Sequence, residues 1–500
     1  MSRPNIVWLT SDHLVWAHHK RLTGYPVLPT HERISAEGLQ FNNAFSVTPL
    51  CQPCRASMLT GVYAHRHGML QNDGLQGAKL DFDADEKLFS HHLLEAGYRV
   101  GYFGKWHTGV ERTAKDFGFE GFSCPGYGHP YWTDEYEEYL ERHNLPHAEV
   151  TVERWVGHPG WEGRTIRLAD FEKPYASPYQ LMEASGVLNT PVETHEAYFL
   201  ADIANRWLED AAQGDEPFCM RVDLWGPHHP FWVGEPFLNT IDPSTLPKYP
   251  TFNANLEHRP KNHRDLLAYR RDFDPYRNWE DWQSYLARCH EHATLCDVAL
   301  GQIVDKLDAL GLRENTILIY AVDHGGALCS NGELVDKGWV MTDETVRIPM
   351  AMRWPNRVAS GSTTDALVMN MDLVPTVLDA AGANTPTPTD GTSLLALSQA
   401  PDETAWRDDI MLEHHGHYGE THFQRQLRHG DYKYVAHLDD LGELYDIVAD
   451  PFEMNNLIND TAHQIVLAEM QARLRVWMAR HEDNSAEAQR LLTQMNAGLI

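Results

Sequence analysis

Basic side chains are scarce in this chain of 500 residues: 41 Lys and Arg stand against 71 Asp and Glu, a formal net charge of −30. Nucleic acid and anionic membranes both demand basic surface, so the charge balance excludes them as partners. A small anionic ligand is not excluded, because exposed charges beyond about 8 Å are screened at physiological salt and such a ligand feels mainly its own pocket. Cysteine is sparse as well. The seven, at 51, 54, 124, 219, 289, 296 and 329, are odd in number and thinly spread, unlike a secreted disulfide framework. The first apolar run, Ile6 to Thr10, is too short for a signal segment or a membrane span, and the expectation is a cytoplasmic protein. Internal repeats, low-complexity tracts and a second C-x-x-C are all missing.

What is plentiful is length, about two to three times the usual single-domain size, so one large domain with a smaller appended one is expected. Compact β-type runs occur at Ile6 to Thr10, Tyr98 to Phe103, Phe218 to Leu224, Ile317 to Val322 and Ile348 to Arg353, and they read as buried parallel strands. Helical patterns lie between them, the clearest from Trp282 to Leu312. Alternation of this kind predicts an α/β fold around a layered sheet. Residues 120–195 and 230–280, rich in Pro, Gly, Trp and Tyr, read as excursions over the carboxyl edge of that sheet. Thr385-Pro-Thr-Pro-Thr-Asp390 is the best boundary, dividing 1–384 from a C-terminal subdomain at 385–500. In that subdomain Tyr432 to Ala436 and Glu443 to Ile447 read as strands of a small antiparallel sheet. A last helix is expected near Asp460, with Leu467, Met470, Leu474, Trp477 and Met478 packed onto the main domain.

In sheets of this type ligands gather beyond the carboxyl ends of the strands, and Asp12 and Asp323 both sit just past a predicted strand. Cys51-Gln-Pro-Cys-Arg55 opens a segment ending in Leu59-Thr-Gly61, and Pro53 suits the first turn of a helix whose positive end would carry Cys51. On residue chemistry alone, Cys51 and Cys54 could also form a redox pair or half of a zinc site. The lack of a second C-x-x-C speaks against zinc. Other aromatic residues, Tyr127, Tyr131, Trp132, Trp155 and Trp161, could stack on a sugar or fill a loop core.

The string Cys51-x-Pro53-x-Arg55-x-x-x-Leu59-Thr60-Gly61 closely resembles the sulfatase signature. Gly101-Tyr-Phe-Gly-Lys-Trp-His-Thr-Gly109, Asp323-His324-Gly325, and the later Glu443-Leu-Tyr-Asp446 and Asp450-Pro-Phe-Glu-Met-Asn-Asn456 extend the likeness over nearly the whole chain. The type I sulfatase family is implied, with an alkaline-phosphatase-like α/β sandwich around a large, mostly parallel sheet. The resemblance implies that Cys51 is oxidised to formylglycine by a formylglycine-generating enzyme that reads Pro53 and Arg55. One hydroxyl of the aldehyde hydrate would attack sulfur, and the other would later expel sulfate. Cys54 stands where many members have serine.

Asp12, Asp323, His324 and the oxygen at position 51 match the positions that bind a divalent cation. Ca²⁺ is the first expectation and Mn²⁺ the alternative, because His13 occupies a position where many sulfatases carry Asp and imidazole is a poor calcium ligand. His13 itself stays open as ligand, hydrogen-bond donor or substrate contact. Lys105 and His107 match residues that contact sulfate and the formylglycine hydroxyl. His228, in Pro227-His-His-Pro230, matches the acid that protonates the leaving oxygen, with His229 its substitute if the loop shifts by one. Lys337 matches a second sulfate-binding lysine, and Asn72 resembles an active-site asparagine of phosphonate monoester hydrolases while being equally at home in a turn.

The implied activity is hydrolysis of small sulfate monoesters, an aryl sulfate or a sulfated sugar. A phosphonate monoester or phosphodiester hydrolase of the same superfamily is the nearest alternative, and a binding protein that never matures Cys51 is the non-enzymatic one. A homo-oligomer is left open.

Overall fold

Seven of the eight strands in the main sheet run the same way. Across the sheet they are Ser362–Met369, Leu39–Phe45, Arg347–Arg353, Thr316–Val322, Asn5–Ser11, Phe218–Asp223, Arg99–Lys105 and Glu120–Cys124, and Arg347–Arg353 alone opposes its neighbours. This computed structural model describes residues 3–72, 74, 77–156, 160–170, 183–254, 256–273, 278–402 and 404–498. Asp73 of the Gln71-Asn-Asp73 string and parts of both predicted excursions (157–159, 171–182, 255 and 274–277) lie outside the described residues.

The expectation that Ile348 to Arg353 is parallel is corrected. The chain leaves Thr316–Val322 at the carboxyl edge, and the residues up to 346 hold only the short helix Asp343–Val346. Parallel re-entry needs a crossover to the far edge. Without one the chain turns back where it emerged.

Asn5–Ser11, Phe218–Asp223 and Thr316–Val322 are buried at every position. Side chains alternate between faces along a strand, so both faces must be covered. Helices Pro29–Glu37, Glu196–Ala211 and Trp279–Ala309 form one contacting group, and Cys51–Thr60, Phe89–Glu95 and Leu373–Ala381 another.

The first excursion is more ordered than its composition suggests. Glu149–Trp155, Thr165–Arg167 and Ala184–Leu188 join Phe231–Val233 in a second, four-stranded sheet. Of its aromatics, Trp155 and Tyr131 are core residues.

The C-terminal sheet is a meander of Asp409–His417, Glu420–His429, Tyr432–His437 and Glu443–Asp446. Helix Gln464–Arg480 buries all five residues of the predicted stripe. That stripe covers this small sheet rather than the main domain, since an antiparallel sheet needs one face covered. A buried ion network of Glu413, His65, Arg425 and Asp483 ties the subdomain to the chain that follows the site helix.

Candidate active site

Register brings the strand ends together. Ser11 pairs with Val322, so Asp12 and Asp323 emerge side by side, and Asp223 lies opposite both Thr10 and Gly104, which puts Lys105 next to it. Gly104 is required there. Its φ is 113°, and a Cβ would lie 2.0 Å from the Asp223 carbonyl oxygen.

The site helix, Cys51–Thr60, starts at the same edge. Cys51 and Arg55 are four residues apart and share a helix face. Arg55 is wholly buried and spans three strand ends: Nε donates to Asp323 (3.0 Å), Nη1 to Asp223 and to the Lys105 carbonyl (both 2.9 Å), and Nη2 to Asp12 (2.9 Å). The first-turn N–H of Gln52 donates to Asn72 Oδ1 at 3.0 Å, so Asn72 serves the helix start that presents Cys51. At the other end Gly61, with φ 77°, closes the helix through its N–H to the Ser57 carbonyl.

Asp12, Cys51, Asp323 and His324 are all buried, and each offers a ligand atom within 4.8 Å of the others. Cys51 Sγ lies 3.0 Å from His324 Nε2 and 3.9 Å from Asp12 Oδ1, and it stands where the oxygens of an aldehyde hydrate would be. Burial opposes charge on Asp12, but Lys105 and Arg55 outweigh it and hold the carboxyl well below its ordinary range. Burial and Asp12 push the Cys51 thiol up, while Lys105, Lys337 and His324 together pull it below its usual value. Two buried carboxylates with an imidazole and the side chain at 51 fit a divalent cation, while the positive N-terminus of the site helix favours an anion beside Cys51.

Cys54 faces elsewhere. Its thiol donates to the Asp323 carbonyl and accepts from Asn370, and burial pushes it up to about 12. Cys51 and Cys54 are both free and buried, and their thiols face different partners, His324 and the Asp323 carbonyl.

On the other side of Cys51, Lys105 pairs with Asp12, with Nζ 4.2 Å from the centre of the Tyr127 ring. Lys337 Nζ donates to His228 Nε2 at 3.0 Å and pairs with Asp336 at 3.2 Å. His228 Nδ1 lies 2.7 Å from the His229 carbonyl and 2.8 Å from the Tyr127 hydroxyl. A carbonyl only accepts, so the proton of the neutral ring is on Nδ1. His107 sits beside Lys105 with φ 52°, and burial with Lys105 lowers its pKa well below the ordinary imidazole value. His13 donates its backbone N–H to Asp323, and its ring packs against His228 (centroids 4.7 Å), His324 (5.2 Å) and His229 (5.8 Å), at the border between the acidic set and a histidine cluster. Thus Asp12, Cys51, Arg55, Lys105, His107, His228, Asp323, His324 and Lys337 converge, with Asn72 behind the helix start and His13 in a neighbouring cluster.

Three participants escape the sequence patterns. Asp223 ends a strand just as Asp12 and Asp323 do, and the same cue could have found it. Asp336 precedes Lys337. Tyr127 was visible only as one aromatic among many, because nothing local in sequence says which ring reaches His228.

Acidic strand ends, a helix-borne nucleophile position and two lysines on one sheet edge define a hydrolase of anionic esters. Its fold is that of the alkaline phosphatase superfamily. The family model for sulfatases matches residues 4–383, and one described as N-sulphoglucosamine sulphohydrolase, C-terminal, matches 332–480. The chain belongs to the sulfatase family and is a sulfuric ester hydrolase. It is 26% identical over 491 residues to an ulvan-active sulfatase of Formosa agariphila, covering 96% of this chain and 82% of that one. It is also 26% identical over 549 residues to an N-acetylglucosamine-6-O-sulfatase of Bacteroides thetaiotaomicron, covering 97% and 88%. A structure solved with its substrate D-glucosamine-2-N,6-O-disulfate superposes with a TM-score of 0.74 at 22% identity, covering 97% and 99%. The phosphonate monoester hydrolase of Agrobacterium radiobacter gives 0.72 at 20%, covering 96% of each chain.

Proposed function

We propose that this sulfatase removes sulfate from a small sulfated sugar, with formylglycine at position 51 and Ca²⁺ held by Asp12, Asp323, His324 and the oxygen at 51. The observation that carries this reading is the meeting of Cys51 with an acidic, cation-type set on one side and with Lys105 and Lys337 on the other. When bound, the cation would supply Lewis-acid stabilisation of negative charge on oxygen. A formylglycine hydrate would supply the hydroxyl that attacks sulfur.

The remaining work falls to side chains of the chain itself. Lys105 and Lys337 offset charge on the sulfate oxygens, fixed in place before substrate arrives by Asp12 and Asp336. His107, neutral at pH 7, accepts a proton beside position 51. His228 Nε2 accepts from the Lys337 ammonium, and this Lys337–His228 pair is assigned as the proton donor to the leaving oxygen. Arg55 holds the three carboxylates and is a positioning residue.

Cys51 is 1% exposed, so a formylglycine-generating enzyme would have to act before the chain closes over it. The six cysteines other than Cys51, all free and buried, support a cytoplasmic location. The sugar substrate is supported by the similarity to an N-acetylglucosamine-6-O-sulfatase and to a protein whose substrate is D-glucosamine-2-N,6-O-disulfate. The test is a panel of sulfated monosaccharides, an aryl sulfate and a phenylphosphonate ester, assayed on aldehyde-bearing protein with Ca²⁺ or Mn²⁺. Faster turnover of the phosphonate ester than of every sulfate would replace this reading with the phosphonate hydrolase one, which the structural likeness to that enzyme keeps in view.

A further inference from the structure

Beside the acidic set lies a second cluster that the reaction does not use in full. His13, His228 and His229 are 3%, 5% and 2% exposed, and each offers a ring nitrogen within 4.8 Å of the others. Ring centroids of His228 and His229 are 4.2 Å apart, and those of His13 and His228 4.7 Å. Neither ring nitrogen of His13 has a hydrogen-bond partner, nor has Nε2 of His229. Three such nitrogens lie together in this cluster, which marks it as a place for a ligand. His13 is also held in a strained backbone conformation, φ 54°, and Gly326 leaves it room, since a Cβ there would come within 2.2 Å of Nε2.

We propose that His13, His228 and His229 form a second divalent-cation site, selective for a borderline transition ion such as Zn²⁺ and inhibitory when filled. Imidazole donors suit zinc, nickel and copper, whereas the neighbouring carboxylates suit calcium, so the two sites differ in chemistry and not only in place. Burial, reinforced by Lys337, lowers the pKa of His228 well below the ordinary imidazole value, and burial takes that of His229 down to about 3. Those two rings are therefore neutral at pH 7, the form that binds metal. The Asp336 carboxylate, 3.4 Å from His13 Nδ1, stands where a carboxylate commonly backs a metal-bound imidazole.

Lys337 opposes a cation here, and that opposition makes the site inhibitory. The Nε2 lone pair of His228 already accepts from Lys337 and cannot serve both. Filling the site breaks that hydrogen bond and takes the acid away from the leaving oxygen.

The experiment titrates calcium-saturated protein, matured at Cys51 or not, with Co²⁺ and then Zn²⁺. One equivalent of Co²⁺ should bind with the visible absorption of a nitrogen-ligated tetrahedral ion, Zn²⁺ should displace it, and bound calcium should stay constant. In matured protein Zn²⁺ should suppress turnover of an aryl sulfate, and His229→Gln should raise the Zn²⁺ needed for half-inhibition at least about tenfold. Release of one calcium per zinc bound, absence of the visible band, or unchanged inhibition of a folded His229→Gln protein would each overturn the proposal. Binding to the surface trio Asp408, Asp409 and His429 would give an oxygen-rich ion without effect on turnover, and that result too would count against it. The binding measurement needs neither the variant nor an active enzyme, so failure of the sulfatase assignment or of the variant's folding leaves it decisive.

Discussion

Replacing Arg55 by lysine keeps the charge and removes the geometry. The guanidinium reaches Asp323, Asp223 and Asp12 from three different nitrogens, each at 2.9–3.0 Å, in a place with no solvent access. A lysine ammonium is a point charge and can take the place of only one of these contacts. Two hydrogen bonds to charged acceptors are lost, at about 1.5–3 kcal/mol each, a total of about 3–6 kcal/mol. Against a net stability of about 5–15 kcal/mol this is a large fraction. The assay is thermal unfolding at a fixed scan rate, without metal and with saturating Ca²⁺, in a Cys51→Ala background so that recognition of Arg55 by a maturing enzyme does not enter. The variant should melt several degrees lower without metal, and calcium should restore more of its stability than it adds to the Arg55 protein, because two carboxylates now lack a partner. An Arg55→Lys protein that melts without metal at the same temperature as its Arg55 parent would refute the view that Arg55 holds the site together.

Cys51→Ala alone should fold normally and lose turnover entirely, and measurable sulfate release would remove position 51 from the nucleophile role. His228→Ala should slow esters with poor leaving groups at least about tenfold more than those with good ones, since only the former need full protonation; equal losses would remove His228 from the acid role. Gly104→Ala should cost about 1–3 kcal/mol in backbone strain and displace Lys105, and an unaltered rate would show that the strand end tolerates a side chain. Asp297 caps helix Pro29–Glu37 through the N–H groups of Thr30 and His31, and burial pushes its carboxyl from 3.8 up to about 7. The folded state therefore keeps a proton that the unfolded chain releases, and this stabilisation is full below pH 3.8 and lost as pH rises through about 7. A gap of about 3 pH units corresponds to about 4 kcal/mol. Compared with Asp297→Asn, the parent protein should lose up to that amount of relative stability across this window, and a constant difference would refute the buried proton.

Much of the centre was legible because chemistry here is tied to short strings. Cys51 and Arg55 share a helix face by their spacing alone, and Asp12, Asp323 and His324 are marked by apolar runs that end in acid. The antiparallel course of Arg347–Arg353 was not legible, since a buried strand reads the same in either direction. Strand direction follows from where the preceding segment leaves the chain.

Local pattern thus determined the α/β class, the helix that carries Cys51 and the strand tips that carry the acids, because periodicity and turn chemistry act over a few residues. Tertiary structure alone decided that Asp223 joins Arg55, that Tyr127 rather than its aromatic neighbours reaches His228, and that the His13 ring packs against both His228 and His324. Those choices depend on register between strands distant in sequence and on which side chain fills a space first, and neither is written in any single segment.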